Sequence, residues 1–328
     1  MKKSETILPA ISVIVTVYDR IQYYREAIEA IDTQTCYDGA LEIIVVSNVH
    51  LDNLKSKRFP IKYIMSSNQS LSGKIVDAVR ISTCPILAFL EDDDLWDINK
   101  AKYLLETFGQ DNRIDFYHNG SIFFRSIKML NPKKIKPSNY KGAKIFDTES
   151  IRNSAKVYNF VHLHKGFYNL SSIAIRKDLL LKESANFVNA GNDYIDNLLF
   201  FLGITQGNKI AIEPSSLTYI RIHPENRSGM DLGIGVTSFD AALKSILTKS
   251  NHTLVNNNAA SLVSRNKLDA LMKCGKYNRH YLLLVAGDYL TISLKCARLP
   301  DMDMVFKVSL AFLGFHIFKK FILKYHAN

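Results

Sequence analysis

The stretch PILAFLEDDDLW, from Pro85 to Trp96, decides the architecture. Its first half, Pro85–Leu90, is a short apolar run that fits a buried β-strand. The run empties into four consecutive acids, Glu91, Asp92, Asp93 and Asp94. Adjacent carboxylates repel one another, which costs stability unless a cation compensates. Hard oxygen ligands suit Mg²⁺ or Mn²⁺, ions that commonly bridge to substrate phosphates. A plainer reading is also open: a solvated acidic helix start, with Asp94 or Asp97 as the cap before a helix over 100–108.

The flanking sequence favours the first reading. Ile11–Val17 and Leu41–Val46 are two more buried strands, and Ile61–Met65 is a shorter one. Between them Tyr24–Thr33 and Ser72–Ile81 carry helical spacing: Ala27, Ile28 and Ile31 share one face, Ile75, Val76 and Val79 another. Lys100–Phe108 reads as a third helix. Strands alternating with helices predict an α/β fold, a parallel sheet with helices on both faces. In such sheets the ligand binds beyond the carboxyl ends of the strands. The residues to inspect are therefore Tyr18-Asp19-Arg20, Ser47-Asn48 and Glu91-Asp92-Asp93-Asp94.

Downstream the pattern changes. Residues 125–144 carry seven Lys/Arg, two prolines and no acid, and read as an exposed loop or hairpin. Ser172–Ile175 and Leu217–Ile222 look like strands around a helix over Tyr194–Leu202. From about residue 235 the signal is helical, ending in an apolar and basic helix over 304–324. At roughly 150 residues per domain the length predicts two domains. The expected layout is a domain over 1–234, with halves of about 10–115 and 116–234, and a helical region over 235–328.

With 42 Lys+Arg against 31 Asp+Glu, the 328-residue chain carries a formal charge of +11. Its 47% hydrophobic content excludes wholesale disorder. The charge points to an anionic partner, but zinc-finger spacing, RNP-like aromatics and Gly-rich phosphate loops are absent, so no nucleic acid is expected. Cys36, Cys84, Cys274 and Cys296 form no CxxC, which favours a reducing cytoplasmic setting. The apolar run Ile7–Val17 loosely imitates a signal peptide, yet Pro9, Ser12 and Thr16 break it and a buried strand fits better.

Several segments, taken in order, resemble the motifs of the inverting family 2 glycosyltransferases of the GT-A fold. They are Val13-Ile14-Val15-Thr16-Val17-Tyr18-Asp19-Arg20, Gln34-Thr35, Glu42-Ile43-Ile44-Val45-Val46 and Phe89-Leu90-Glu91-Asp92-Asp93-Asp94-Leu95-Trp96. Gly191-Asn192-Asp193-Tyr194 and Arg221-Ile222-His223-Pro224-Glu225-Asn226-Arg227-Ser228 complete the set, so the resemblance covers about residues 10–230. It implies a Rossmann-like GT-A domain, here with a helical C-terminal region, that moves a sugar from a UDP- or GDP-sugar to a hydroxyl. The acceptor would be a glycan, a glycolipid or a lipid-linked sugar.

The resemblance also assigns roles. Asp93 would bind Mn²⁺ or Mg²⁺, with Glu91 near the ribose and metal and His223 as a further ligand or a diphosphate contact. Thr16, Tyr18, Asp19, Arg20, Ser47, Lys74, Asp92 and Arg221 would line the nucleotide and diphosphate, and Asp94 would support the site or contact the donor sugar. The metal would act as Lewis acid on the leaving diphosphate. Asp193 would be the general base for the acceptor hydroxyl, with Asp196 one turn later as the competing candidate. Departures from the pattern are Ser47-Asn48-Val49-His50 where the family has Asp-Asp-Gly-Ser, Glu91 for Asp, Asn192 for the acid before the base, and Lys74 for Arg.

Two other readings stay open. A sugar nucleotidyltransferase would share the sheet and acids but normally needs a Gly-rich loop after the first strand, where this chain has Val17-Tyr18-Asp19-Arg20. A membrane-associated lectin-like or scaffold protein with a degenerate site would explain the missing acid at Ser47. In the tail, the uninterrupted apolar part Val308–Phe315 is eight residues, against about twenty for a bilayer span. Aromatics mixed with lysines suit an interfacial helix on the inner face of the plasma membrane. Packing on the catalytic domain or on a second copy, in a homo-oligomer, is the alternative.

Overall fold

A computed structural model describes residues 10–18, 21–126, 142–152, 160, 164, 166, 168–188 and 195–223. Asp19, Arg20, Asp193, most of the basic stretch and all of the expected C-terminal helices lie outside them, as does the proposed boundary near residue 235. Four strands match the sequence pattern: β1 (Ile11–Val17), β2 (Leu41–Ser47), β3 (Ile61–Met65) and β4 (Ile86–Glu91). They lie parallel in the order β3-β2-β1-β4, and β1 sits in register with both neighbours, so that Thr16 faces Val46 on one side and Glu91 on the other. Every residue of β1 and β2 is buried. That is why both read as unbroken apolar runs: helices cover the two faces of the sheet.

Three helices fill the crossovers, α1 (Tyr24–Asp32), α2 (Leu71–Ile81) and α3 (Lys100–Gln110). The Ser70 hydroxyl starts α2 by accepting the Gly73 N–H at 3.1 Å, an N-cap that satisfies one otherwise orphaned donor. Ile11, Val13, Val15 and Val17 pack with α1 and α3, whereas Ile14 joins Ile44, Phe89 and the apolar face of α2 in a second core. The side chains thus alternate between two packed layers, as strand geometry requires.

The sheet is mostly parallel in its first half, and the second half adds antiparallel strands. Its elements are β5 (Leu95–Trp96), β6 (Ile114–Phe124), β7 (Lys144–Asp147), α4 (Thr148–Arg152), β8 (Ile173–Arg176), α5 (Lys177–Lys182), α6 (Ser184–Phe187), α7 (Ile195–Gln206) and β9 (Lys209–Arg221). The order continues β4-β8-β6-β9-β5, with β7 also on β9. Strand β8 is antiparallel to both β4 and β6, so β4, β6 and β9 all end at the same edge. Strand β6 is absent from the sequence reading, and β9 is far longer than the expected Leu217–Ile222. The register of β6 on β9 slips at Gly120, where an added Cβ would lie 3.0 Å from the Pro214 carbonyl oxygen. Such bulges bend a strand and re-aim the side chains beyond the bend. Among the described residues no helix is long and apolar enough to cross a membrane.

Candidate active site

The four acids at the end of β4 have four different surroundings. Asp92 is buried and accepts the Tyr18 N–H at 3.1 Å, tying the end of β4 to the end of β1. Asp94 is buried beneath the short turn Leu170–Ser172. It accepts from Ser171 Oγ at 2.7 Å, Asn169 Nδ2 at 3.2 Å and the Arg221 N–H at 3.0 Å. Burial and the charge of Asp93 push its carboxyl up to about 7 against those hydrogen bonds. Asp93 accepts from His223 Nε2 at 2.8 Å. Glu91 takes no hydrogen bond to its carboxylate from the described residues, and burial together with Asp94, Asp93, Asp196 and Asp92 pushes it well up. The cluster therefore packs carboxyl groups that oppose one another's ionisation at the edge where sheets of this class bind ligands.

The structure joins the two ends of the resemblance. Strand β9 carries Arg221 and leads to His223, and both reach Asp93 more than a hundred residues away in sequence. The Arg221 guanidinium donates through Nε to the Asp93 carbonyl at 2.8 Å, pairs with Glu26 and lies 4.6 Å from the centroids of Tyr23 and Phe124. In the described structure it is a buried brace behind Asp93. Lys74 is buried as well. Its ammonium is fully buried, donates to the Val17 carbonyl at 3.1 Å and lies 3.2 Å from the Tyr18 ring centroid, so it braces the end of β1 from below. Thr16 and Ser47 are buried at the ends of adjacent strands, and the Ser47 hydroxyl accepts the Val49 N–H at 3.1 Å, closing the turn after β2.

Asp193 lies outside the described residues, whereas Asp196 sits in the first turn of α7. Asp196 accepts from the Asn169 N–H at 3.0 Å and from the N–H and Nδ2 of Asn197 at 2.8 and 2.9 Å. Burial raises its carboxyl to about 6 in spite of these bonds. Asn169 therefore links Asp94 and Asp196 through one residue, held at φ 67°. Asn tolerates that left-handed conformation better than most residues. Sequence reasoning missed Asn169, Ser171 and Lys100. Lys100 is fully buried, donates to the Ser171 carbonyl and to Thr218 Oγ1 at 3.0 Å, and lies 4.4 Å from the Trp96 ring centroid. Burial pushes its pKa well below the usual lysine range. The available signal was topological: a strand antiparallel to β4 must begin at the edge where β4 ends.

Among the described residues no group of three or more His, Cys, Asp or Glu side chains is arranged to hold a metal ion. Asp93 and His223 supply two donors, one hard oxygen and one imidazole nitrogen. That set fits an ion that takes most of its ligands from substrate phosphate and water, as Mg²⁺ commonly does.

Comparison with known proteins agrees with this geometry. The model of glycosyl transferase family 2 matches residues 12–179. An uncharacterized glycosyltransferase of Nostoc sp. is 26% identical over 228 residues, which is 66% of this chain and 66% of that one. Among solved structures, S. aureus TarS 1–349 aligns with a TM-score of 0.54 at 12% identity, over 88% of this chain and 92% of that chain. The same protein in complex with UDP-GlcNAc aligns at 0.56 and 14% identity, with the same coverage. These structures share the fold, and the GT-A class expected from the sequence is borne out. With the family model spanning half of the chain and its acid-bearing strand end in place, the protein belongs to glycosyl transferase family 2 and is a glycosyltransferase.

Proposed function

We propose that the protein is an inverting glycosyltransferase that takes its sugar from a UDP- or GDP-sugar bound over the ends of β1, β2 and β4. The observation that carries this reading is the Asp93–His223 pair, brought together at 2.8 Å from opposite ends of the matched motifs and flanked by Glu91 and Asp94. The TarS complex with UDP-GlcNAc supports a UDP-sugar as donor. Asp93 and His223 would hold Mn²⁺ or Mg²⁺, which when bound stabilises the negative charge of a departing diphosphate.

The chain's own residues do the rest. Asp94, locked by Ser171, Asn169 and Arg221, positions the donor sugar. The acceptor hydroxyl oxygen bonds to the anomeric carbon from the face opposite the diphosphate, whose oxygen leaves with the electron pair of the broken bond. The hydroxyl proton passes to a carboxylate. The sequence pattern suggests Asp193, which lies outside the described residues. Among the described residues Asp196 is the competing base: its carboxyl is raised to about 6, with Asp94 and Glu91 nearby, and we propose it for the role. The acceptor is a glycan, glycolipid or lipid-linked sugar. Attachment to the inner face of the plasma membrane and self-association rest on the tail sequence alone.

The test is a screen of UDP- and GDP-sugars scored by release of nucleoside diphosphate. Release stimulated by Mn²⁺ and suppressed by a chelator is expected. Pyrophosphate release from a nucleoside triphosphate plus a sugar phosphate would instead establish nucleotidyl transfer.

A further inference from the structure

Strand β6 changes character along its length. Phe116, Tyr117 and His118 are buried and paired to β8, and pairing with β8 stops at His118. The register slips around Gly120 then re-aim the strand, and Ile122 and Phe123 emerge 46% and 53% exposed. The Phe123 ring meets the ring of Tyr168 edge to face, with centroids 6.4 Å apart, and Tyr168 is itself 44% exposed. Two half-exposed aromatic rings therefore form a ledge at the sheet edge, near Asp94 and the Asp196 of α7.

The ledge is built rather than incidental. The Tyr168 carbonyl accepts from His118 Nε2 at 2.7 Å. A carbonyl can only accept, so Nε2 carries the proton, and burial holds the imidazole down to about 4 and hence neutral at pH 7. The next residue, Asn169, donates its backbone N–H to Asp196 and its side-chain amide to Asp94. One short run of chain thus fixes an exposed ring and both carboxylates. The Tyr168 phenol is pushed up by burial and by the charges of Asp196 and Asp94, so it stays a neutral donor beside them.

Resting on the transfer reading above, we propose that Phe123 and Tyr168 form the acceptor subsite and that it takes a neutral pyranose ring of a glycan. A pyranose has one face of C–H groups, whose electron-poor hydrogens pack against the negative face of an aromatic ring. Its rim of hydroxyls can donate to Asp94 and Asp196. An acyl chain would strip water from those carboxylates without replacing their hydrogen bonds. A phosphate or uronic acid would meet like charge from Asp196, which is ionised above about pH 6. A solvent-facing apolar patch continuous with a catalytic edge marks a binding surface.

The experiment measures binding of tagged neutral oligosaccharides to the full-length protein by saturation-transfer NMR and calorimetry, together with acceptor KM in transfer. Phe123→Ala is expected to weaken binding and raise KM by about ten-fold. Phe123→Tyr should restore both, and Ile81→Ala, at the C-terminal end of α2, should change neither. Wild-type affinity in a folded Phe123→Ala protein, no neutral sugar bound by the wild type, or a preference for acidic sugars or lipid vesicles would each overturn the proposal. Mn²⁺-dependent donor hydrolysis without acceptor scores the other reading separately. Sugar binding lost in Phe123→Ala, in a protein that never turns over a donor, would uphold the ledge and refute glycosyl transfer.

Discussion

Asp196→Asn separates a chemical role from a structural one, and its cost can be worked from the contacts. The carboxylate accepts from Asn169 on one oxygen and twice from Asn197 on the other. An amide keeps one acceptor oxygen, so the better rotamer retains the two bonds from Asn197 and sets an NH₂ against the Asn169 N–H. That mismatch costs about 1–3 kcal/mol. Against it stands the charge that is removed. Asp196 is raised from 3.8 to about 6, and ionising it above pH 6 costs the native state about 3 kcal/mol relative to an unperturbed carboxyl. The two effects nearly offset, so the variant should melt close to the wild type at pH 8. A lost general base lowers kcat by about 10²–10⁴-fold. The assay combines a thermal melt, calorimetry with donor, and initial transfer rates from pH 5 to 9. Because the base must be ionised, wild-type kcat should fall as pH drops through about 6. Asp193→Asn should keep transfer. If Asp196→Asn transfers at near wild-type rate while Asp193→Asn does not, the assignment is wrong. Melting and donor binding lost in step with rate would make Asp196 structural only.

Three further substitutions probe the same structure. Burial opposes ionisation of Glu42, but hydrogen bonds from Lys62, Ser12 and Thr83 prevail and hold its carboxyl down to about 2. The stabilisation is present above the unfolded value near 4.5 and is lost as pH falls toward 2, so Glu42→Gln should lose up to about 3 kcal/mol in urea unfolding at pH 7 and little at pH 2. Arg221→Lys removes a planar group held between two rings and bonded to both Glu26 and the Asp93 carbonyl. It should cost about 1–3 kcal/mol by denaturant titration and weaken nucleotide binding as Asp93 and His223 shift. Gly120→Ala sets a methyl against the Pro214 carbonyl; unfolding should show a loss of about 1–3 kcal/mol, with β6 straightened and the Phe123 ledge displaced.

The parallel half of the sheet was readable because both its faces are covered. Ile11–Val17 and Leu41–Ser47 have no polar alternation to obscure them, and each ends at residues that serve the site. The other half was not readable by the same means. In β6 the polar residues His118 and Asn119 are buried, with partners supplied by Tyr168 and Thr218. Such a run looks like a loop until those partners are known. In β9, Pro214 and Glu213 interrupt the apolar pattern at a bulge, where a proline is tolerated in a sheet. The acids, His223, Arg221 and Lys74 could all be named from motif order, but the burial of Arg221 and Lys74 against Tyr23, Phe124 and Tyr18 could not be read from it. Asp196 was legible only as an alternative to Asp193, because the Asn169 N–H that holds it comes from a distant stretch of chain.

The central claim is that Asp93, with His223, holds a divalent ion against a nucleoside diphosphate. Calorimetric titration of UDP and GDP into the full-length protein, with Mn²⁺ and with a chelator, tests it most directly beside Asp93→Asn. Mn²⁺-dependent binding by the wild type to at least one nucleotide is expected, as is its loss in an Asp93→Asn protein that melts like the wild type. Equal binding with and without Mn²⁺, or undiminished Mn²⁺-dependent binding by Asp93→Asn, would contradict it.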